Sequence, residues 1–306
     1  MSRYLILLFI VSFLFITCKQ PVSDDELLSI GITDCRRQPS FIKSTGLQPQ
    51  RAALSTSEKR IKGLVLIEIP KSVDDTARRT WRHPSWDLYG WMGPITTDES
   101  GNTYIAPVPT VNVLDNPLDQ QNIIYKVESS SGEMKPFINL MEKTSPTTGN
   151  PYGLLGLYYE CHDKRLYAST VAGSTLEEER GRIIGLDIKS KKINAELLNI
   201  DAIGLCVGGM TGEKRLYFGA ARKPEVYSIL LNASGEFEGQ PKLEITLDML
   251  GPRGDDKARR IRFDKNGDML INGIEFNYNL TAPTEKQEAL YRFRYYDDIK
   301  KWGHVR

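Results

Sequence analysis

The sequence predicts an all-β protein, a β-propeller of five or six four-stranded blades, behind an export signal and a short linker. Three observations lead there. A strand-forming block recurs roughly every 45–65 residues, the period of propeller blades and solenoid units; it reads Lys-Arg-Leu-Tyr-Ala-Ser at 164–169 and Lys-Arg-Leu-Tyr-Phe-Gly at 214–219, with weaker copies at 101–106 and 267–272. A second apolar run follows each copy, at 122–127, 181–186, 225–230 and 289–294. The loops between these runs lack a helical period, which excludes a parallel α/β sheet. Short strands cannot bury their own faces, so the copies must pack on one another.

Taken in order, residues 1–17 address the chain and do not fold with it. Arg3 precedes an apolar run over 4–16 that is too short to span a bilayer and suits a signal-peptide core. With Thr17-Cys18 after it, the segment resembles a bacterial lipoprotein signal. That resemblance implies acylation of Cys18, a mature N-terminus there, and a lipid anchor at the cell envelope of a Gram-negative bacterium, on a periplasmic or surface-facing membrane. Residues 18–40 read as a linker, polar throughout, with Ser23 and Glu26 spaced as a capping box for a short helix over 24–30. The propeller domain then occupies 41–306.

Four clear blades are expected at 95–140, 152–200, 201–248 and 258–306. A degenerate one lies within 41–85, where 52–56 and 63–69 stand as its middle strands. In the third copy the strands read 155–160, 165–171, 182–188 and 193–198. In the fourth they read 203–208, 215–220, 226–231 and 242–247. Asp, Asn and Gly at 98–102 and 264–268 supply the backbone angles of tight hairpins. A sixth blade forms if the chain ends combine to close a ring and remove the exposed sheet edges.

The stretch Arg-Phe-Asp-Lys-Asn-Gly-Asp-Met-Leu at 262–270 resembles the turn-and-strand pattern of the calcium-dependent phosphotriesterase, gluconolactonase and NHL-repeat superfamily of six-bladed propellers. The resemblance covers most of 90–306. It implies a divalent cation held in the channel by Glu, Asn and Asp from different blades, oxygen donors suited to a hard cation. The sequence departs from that pattern. Met92 stands in Trp91-Met92-Gly93-Pro94 where the family places its Glu, and the family's Asn-Asp-Gly segment is missing.

Composition narrows the function. Apolar residues make up 40% and charged residues 26%, as in a folded body. The formal charge is +1, and Arg3 is the sole charge before Cys18, so the mature chain is near neutral and has no long-range attraction for nucleic acid. Cys35, Cys161 and Cys206 remain after Cys18, and an exported chain permits disulfides. The offset of Cys161 and Cys206 within their repeats leaves a bridge between them open. Trp81, Trp86, Tyr89 and Trp91 are expected to close gaps between blades.

Blade geometry supplies an asymmetry. First-to-second and third-to-fourth turns share one face and are short. Second-to-third loops and interblade links share the other and are long, at 106–121, 172–180, 273–288, 141–153 and 249–258. Long loops on a rigid scaffold gather binding residues. The candidates at the channel mouth are Asp201, Asp255, Asp256, Arg259, Arg260, Glu275, Asn277 and Glu285, since convergent carboxylates and guanidinium groups hold polar ligands bidentately. The competing reading is that Asp255, Asp256, Arg259 and Arg260 pair among themselves or with neighbouring blades. The expected function is that of a non-catalytic envelope lipoprotein whose long-loop face binds an envelope protein or a small polar ligand, with no cofactor. The alternative is a diverged lactonase-like hydrolase using a divalent cation such as calcium.

Overall fold

A computed structural model describes residues 34–58, 60–71, 79–110, 112–140, 144–209, 211–280 and 287–305. The signal peptide, Cys18, the helix expected over 24–30 and Glu285 lie outside the described residues. The architecture is an all-β propeller of five blades. Blade 1 contains β1 (Ala52–Ser55), β2 (Val65–Glu68) and β3 (Thr80–Trp81). Blade 2 contains β4 (Met92–Thr97), β5 (Thr103–Pro107), β6 (Ile123–Val127) and β7 (Met134–Asn139). Blade 3 contains β8 (Leu154–Glu160), β9 (Arg165–Thr170), β10 (Arg182–Asp187) and β11 (Ile193–Leu198). Blade 4 contains β12 (Ala202–Gly208), β13 (Arg215–Ala220), β14 (Glu225–Leu231) and β15 (Phe237–Thr246). Blade 5 contains β16 (Lys257–Phe263), β17 (Met269–Ile274), β18 (Ala289–Tyr296) and β19 (Lys301–His304). Each sheet is an antiparallel meander of sequential strands.

The strands expected in blades 3 and 4 agree with those observed to within a residue, with one exception. The outermost strand β15 starts at Phe237 rather than 242. Its first half, Phe-Glu-Gly-Gln-Pro-Lys, faces solvent on an edge and carries no apolar alternation, so pairing such as Leu230 with Glu238 left no trace in the sequence.

Blade 1 has three described strands, and their direction shows which one is lacking. Gln38 Nε2 donates to Ala52 O, while the neighbouring Arg37 N donates to Asp98 O just beyond the end of β4. At the other end Thr56 Oγ1 donates to Gly93 O at the start of β4. β1 therefore runs opposite to β4. It occupies the second place in its blade, and β2 and β3 the third and fourth, in keeping with the middle-strand reading of 52–56 and 63–69. Among the described residues no first strand stands inside β1, and the two ends of the chain do not pair into a sixth blade.

Successive blades are sealed by apolar side chains. Phe41, Leu54, Leu66, Trp86, Met92 and Tyr125 join blades 1 and 2. Tyr104, Ile124, Tyr159 and Leu166 join blades 2 and 3. Tyr167, Leu205, Val207 and Phe218 join blades 3 and 4, and Tyr217, Ile261, Ile271 and Phe293 join blades 4 and 5. Blade 5 approaches blade 4 so closely that Gly204 and Gly219 have no room for a side chain; a Cβ on Gly219 would lie 2.1 Å from Ala258 O.

The residues just before the first blade are held against the body. Cys35 forms a disulfide with Cys161 in the β8–β9 turn, with Cα atoms 5.7 Å apart. Cys206 is free and buried, its thiol pushed up to about 12 by that burial, which makes it a poor nucleophile. Trp86 is fully buried, packs edge-on against Trp81 and Phe41, and donates from Nε1 to Gly132 O at 2.8 Å. Replacing Trp86 with Ala is expected to cost about 3–5 kcal/mol, read as a lower urea midpoint with loss of blade 1 packing; a change under about 1 kcal/mol contradicts this role.

Candidate functional site

The inner strands β4, β8, β12 and β16, with β1 beside β4, surround a cavity of about 460 Å³ along the propeller axis. Among the described residues four arginines line it, Arg36, Arg259, Arg260 and Arg262, against a single carboxylate, Glu275. Three of the four come from β16. A bulge in its pairing with β17, between Ala258 and Arg260, brings consecutive side chains, Arg259 and Arg260, to the cavity, and the two-residue period adds Arg262.

The partners of these arginines decide how much charge remains for a ligand. Arg36 is paired with Asp34 at 2.5 and 2.8 Å. Arg259 Nη1 lies 3.1 Å from Glu288 Oε1. Burial and the adjacent Arg260 both lower the pKa of Arg259, which marks a locally positive, poorly solvated wall. Arg262 Nη1 donates to the neutral Asn272 Oδ1 at 2.8 Å. Arg260 has no hydrogen-bond or ion-pair partner among the described residues. The cavity therefore presents unneutralised guanidinium groups suited to bidentate recognition of carboxylates or phosphates.

The structure divides the residues named from the sequence into two groups. Arg259, Arg260 and Glu275 meet at the cavity. Asp201 and Asp256 do not line it and serve as buried hubs. Asp201 accepts from Ser174 Oγ at 2.5 Å, Gly181 N at 2.9 Å, Arg222 Nε at 3.0 Å and Tyr278 OH at 2.5 Å. Four donors occupy the carboxylate, and they come from loops of blades 3, 4 and 5, so these second-to-third loops do share one face. Asp256 accepts from Arg253 Nη2 at 2.9 Å, from Arg253 Nε, and from Tyr291 OH at 2.6 Å. Asp255 is exposed and pairs with Lys257 at 3.3 Å. Asn277 is exposed and its Oδ1 accepts from Asn279 N. Asp255 and Asp256 are thus paired, with Lys257, Arg253 and Tyr291 of their own blade and its link rather than with Arg259, Arg260 or a neighbouring blade; Arg259 pairs with Glu288, and Arg260 has no partner among the described residues.

The loop after β17 crosses the mouth of the cavity. Phe276 packs 5.4 Å from Tyr152, and Tyr152 OH donates to Asn279 O at 2.9 Å. Tyr278 sits at φ +64°, a strained backbone angle for a bulky residue. Its hydroxyl bond to Asp201 and the stacking of Arg222 over its ring at 5.4 Å hold it there. Burial and the Asp201 carboxylate keep that hydroxyl protonated far above its usual range.

Two cavity residues were missed from the sequence. Arg262 was readable, since it follows Arg260 by two on a strand and must share its face. Arg36 was not, because ties between residues far apart in sequence, the Cys35–Cys161 bridge and the bond from Arg37 N to Asp98 O, hold its segment there. Met92, which stands where the metal-binding relatives carry Glu, is buried in the apolar seam of blades 1 and 2. Among the described residues no three His, Cys, Asp or Glu side chains gather as a cation site.

No protein-family model matches the chain, and no curated protein matches it. Among solved structures it is similar to a glucose dehydrogenase, at 12% identity and TM-score 0.45, covering 83% of this chain and 78% of that one. It is also similar to a chain of the nidogen/laminin complex, at 12% identity and TM-score 0.43, covering 76% and 82%. These values carry no inference about function.

Because Asp201 knits three blades together, Asp201→Ala is expected to destabilise the fold by about 3–5 kcal/mol, the cost of leaving buried donors unmatched. Urea unfolding of the variant checks this; wild-type stability with lost ligand binding would instead make Asp201 a ligand contact.

Proposed function

We propose that the chain is a binding module of the cell envelope, anchored by a lipid at Cys18, which holds an acidic partner or small polyanion in its central cavity and at the loop face above it. One observation carries this reading: Arg260 and Arg262 face a cavity of about 460 Å³, and among the described residues no carboxylate is paired to either. Both guanidinium groups are exposed at the cavity and free to form bidentate, charge-assisted hydrogen bonds with a ligand anion. The surrounding scaffold is rigid, which favours affinity by cutting ordering costs. Within this reading the long-loop face frames the entrance, since Tyr152, Phe276 and Glu275 stand at the mouth, whereas Asp201 and Asp256 fix its shape.

The test uses the mature chain and citrate as a model tricarboxylate. Citrate is expected to bind and to raise the melting temperature, and the double variant Arg260→Glu, Arg262→Glu is expected to weaken binding by about tenfold or more, one to two charge-assisted contacts' worth. Equal affinity in wild type and variant contradicts the reading. In the same assay, calcium, manganese or zinc raising the melting temperature by several degrees would favour the diverged hydrolase instead.

A further inference from the structure

The reading above leaves open what kind of partner fits the cavity, and the inference here rests on it. The seam between blades 5 and 1 differs from the other four. Every seam between successive blades is filled by a buried apolar cluster, and among the described residues none joins blade 5 back to blade 1. The wall on the blade 5 side consists of cross-strand rows. Arg260 stands opposite Asn272 and Asn272 opposite Leu290, while Arg262 stands opposite Leu270 and Leu270 opposite Arg292. This face is open to solvent, with Leu290 61% exposed. The wall on the blade 1 side ends in β1, whose inner edge should carry the blade's first strand and instead faces the cavity. On this edge Ala52 O accepts from Gln38 Nε2, and Leu54 N–H and C=O point away from β2 with no partner among the described residues, groups that an extended chain can engage.

We propose that this seam receives an extended segment of a partner protein, about four to six residues long to match the four of β1, in which carboxylates alternate with apolar side chains. The segment adds to the inner edge of β1 by backbone hydrogen bonds, completing blade 1, and side chains of a strand point alternately to its two faces. One set meets Leu54 and Ile95 at the rim of the apolar seam of blades 1 and 2. The other meets Arg260 and Arg262, and charge complementarity there selects carboxylates over amines.

Hydrogen–deuterium exchange of the mature chain tests this, with blocked hexapeptides of alternating Val and Glu, and of alternating Val and Lys, as probes. The Val–Glu peptide is expected to slow exchange at Ala52 and Leu54, whose amides point away from β2, by about tenfold or more, the Val–Lys peptide to leave it unchanged, and Arg260→Glu with Arg262→Glu to abolish the Val–Glu effect. No slowing with the Val–Glu peptide overturns the proposal. Slow exchange at the Ala52 and Leu54 amides already in the free chain overturns it as well, assigning the edge to a segment of the chain itself, for which residues 24–33 with Asp24, Asp25 and Glu26 have the right charge. Citrate binding without any peptide effect leaves the polyanion reading intact and removes only the strand-addition proposal; loss of both removes the two together.

Discussion

A four-stranded sheet has two faces, and the burial of each face against the next blade is the interaction on which the remaining structure depends. Tyr217, Phe218, Tyr167 and Tyr104 are almost wholly buried in these seams, and aromatic side chains bury more apolar area than any others. The demand for contact is strict enough to dictate glycine where two blades meet most closely, as at Gly204 and Gly219 against the backbone of β16. The buried carboxylates of Asp201 and Asp256 are satisfied locally, by donors from the surrounding loops and strands. The disulfide from Cys35 to Cys161 adds a covalent tie across the underside of blades 1 to 3 and closes a span of 126 residues.

The same rule marks where the apolar burial ends. Burial proceeds blade by blade from Phe41 to Phe293 and then stops. Beyond it, blade 5 turns arginines outward where its partner face would otherwise be apolar. A surface that exchanges apolar side chains for guanidinium groups, and does so beside a cavity and an unpaired strand edge, has the composition of an interface and not of a core. Along β16 the charge runs through the depth of the cavity, from Arg259 near the long link before it to Arg262 beside the short turn after it.

Much of the fold was legible in the sequence, because strand period, turn residues and repeat length are local signals. Arg-Leu-Tyr at 165–167 and 215–217 places one Tyr in each of two seams, and the Asp-x-x-Gly turns at 98–101 and 264–267 mark hairpins. Less of the site was legible. The carboxylates at 201 and 256 looked like ligands because a lone sequence shows charge but not partners, and the donors to Asp201 lie 27, 20, 21 and 77 residues away. Arg36 came from a stretch with no strand pattern at all, and the second place of β1 in its blade follows from strand direction, which no local pattern encodes. Two short polar strands, β3 and the first half of β15, were invisible for the opposite reason: edge strands need no apolar alternation.

The central claim is that the arginines of β16 face an open cavity while those of the seams and loops are consumed by the fold. Phenylglyoxal labelling followed by mass spectrometry measures this residue by residue. Arg260 and Arg262 should react well before Arg182, which is 3% exposed and paired with Glu196, and before Arg222, which is 19% exposed and held by Asp201. Arg260 and Arg262 protected to the same degree as Arg182 and Arg222 would show a seam that is closed, and the account of a cationic binding cavity would be wrong.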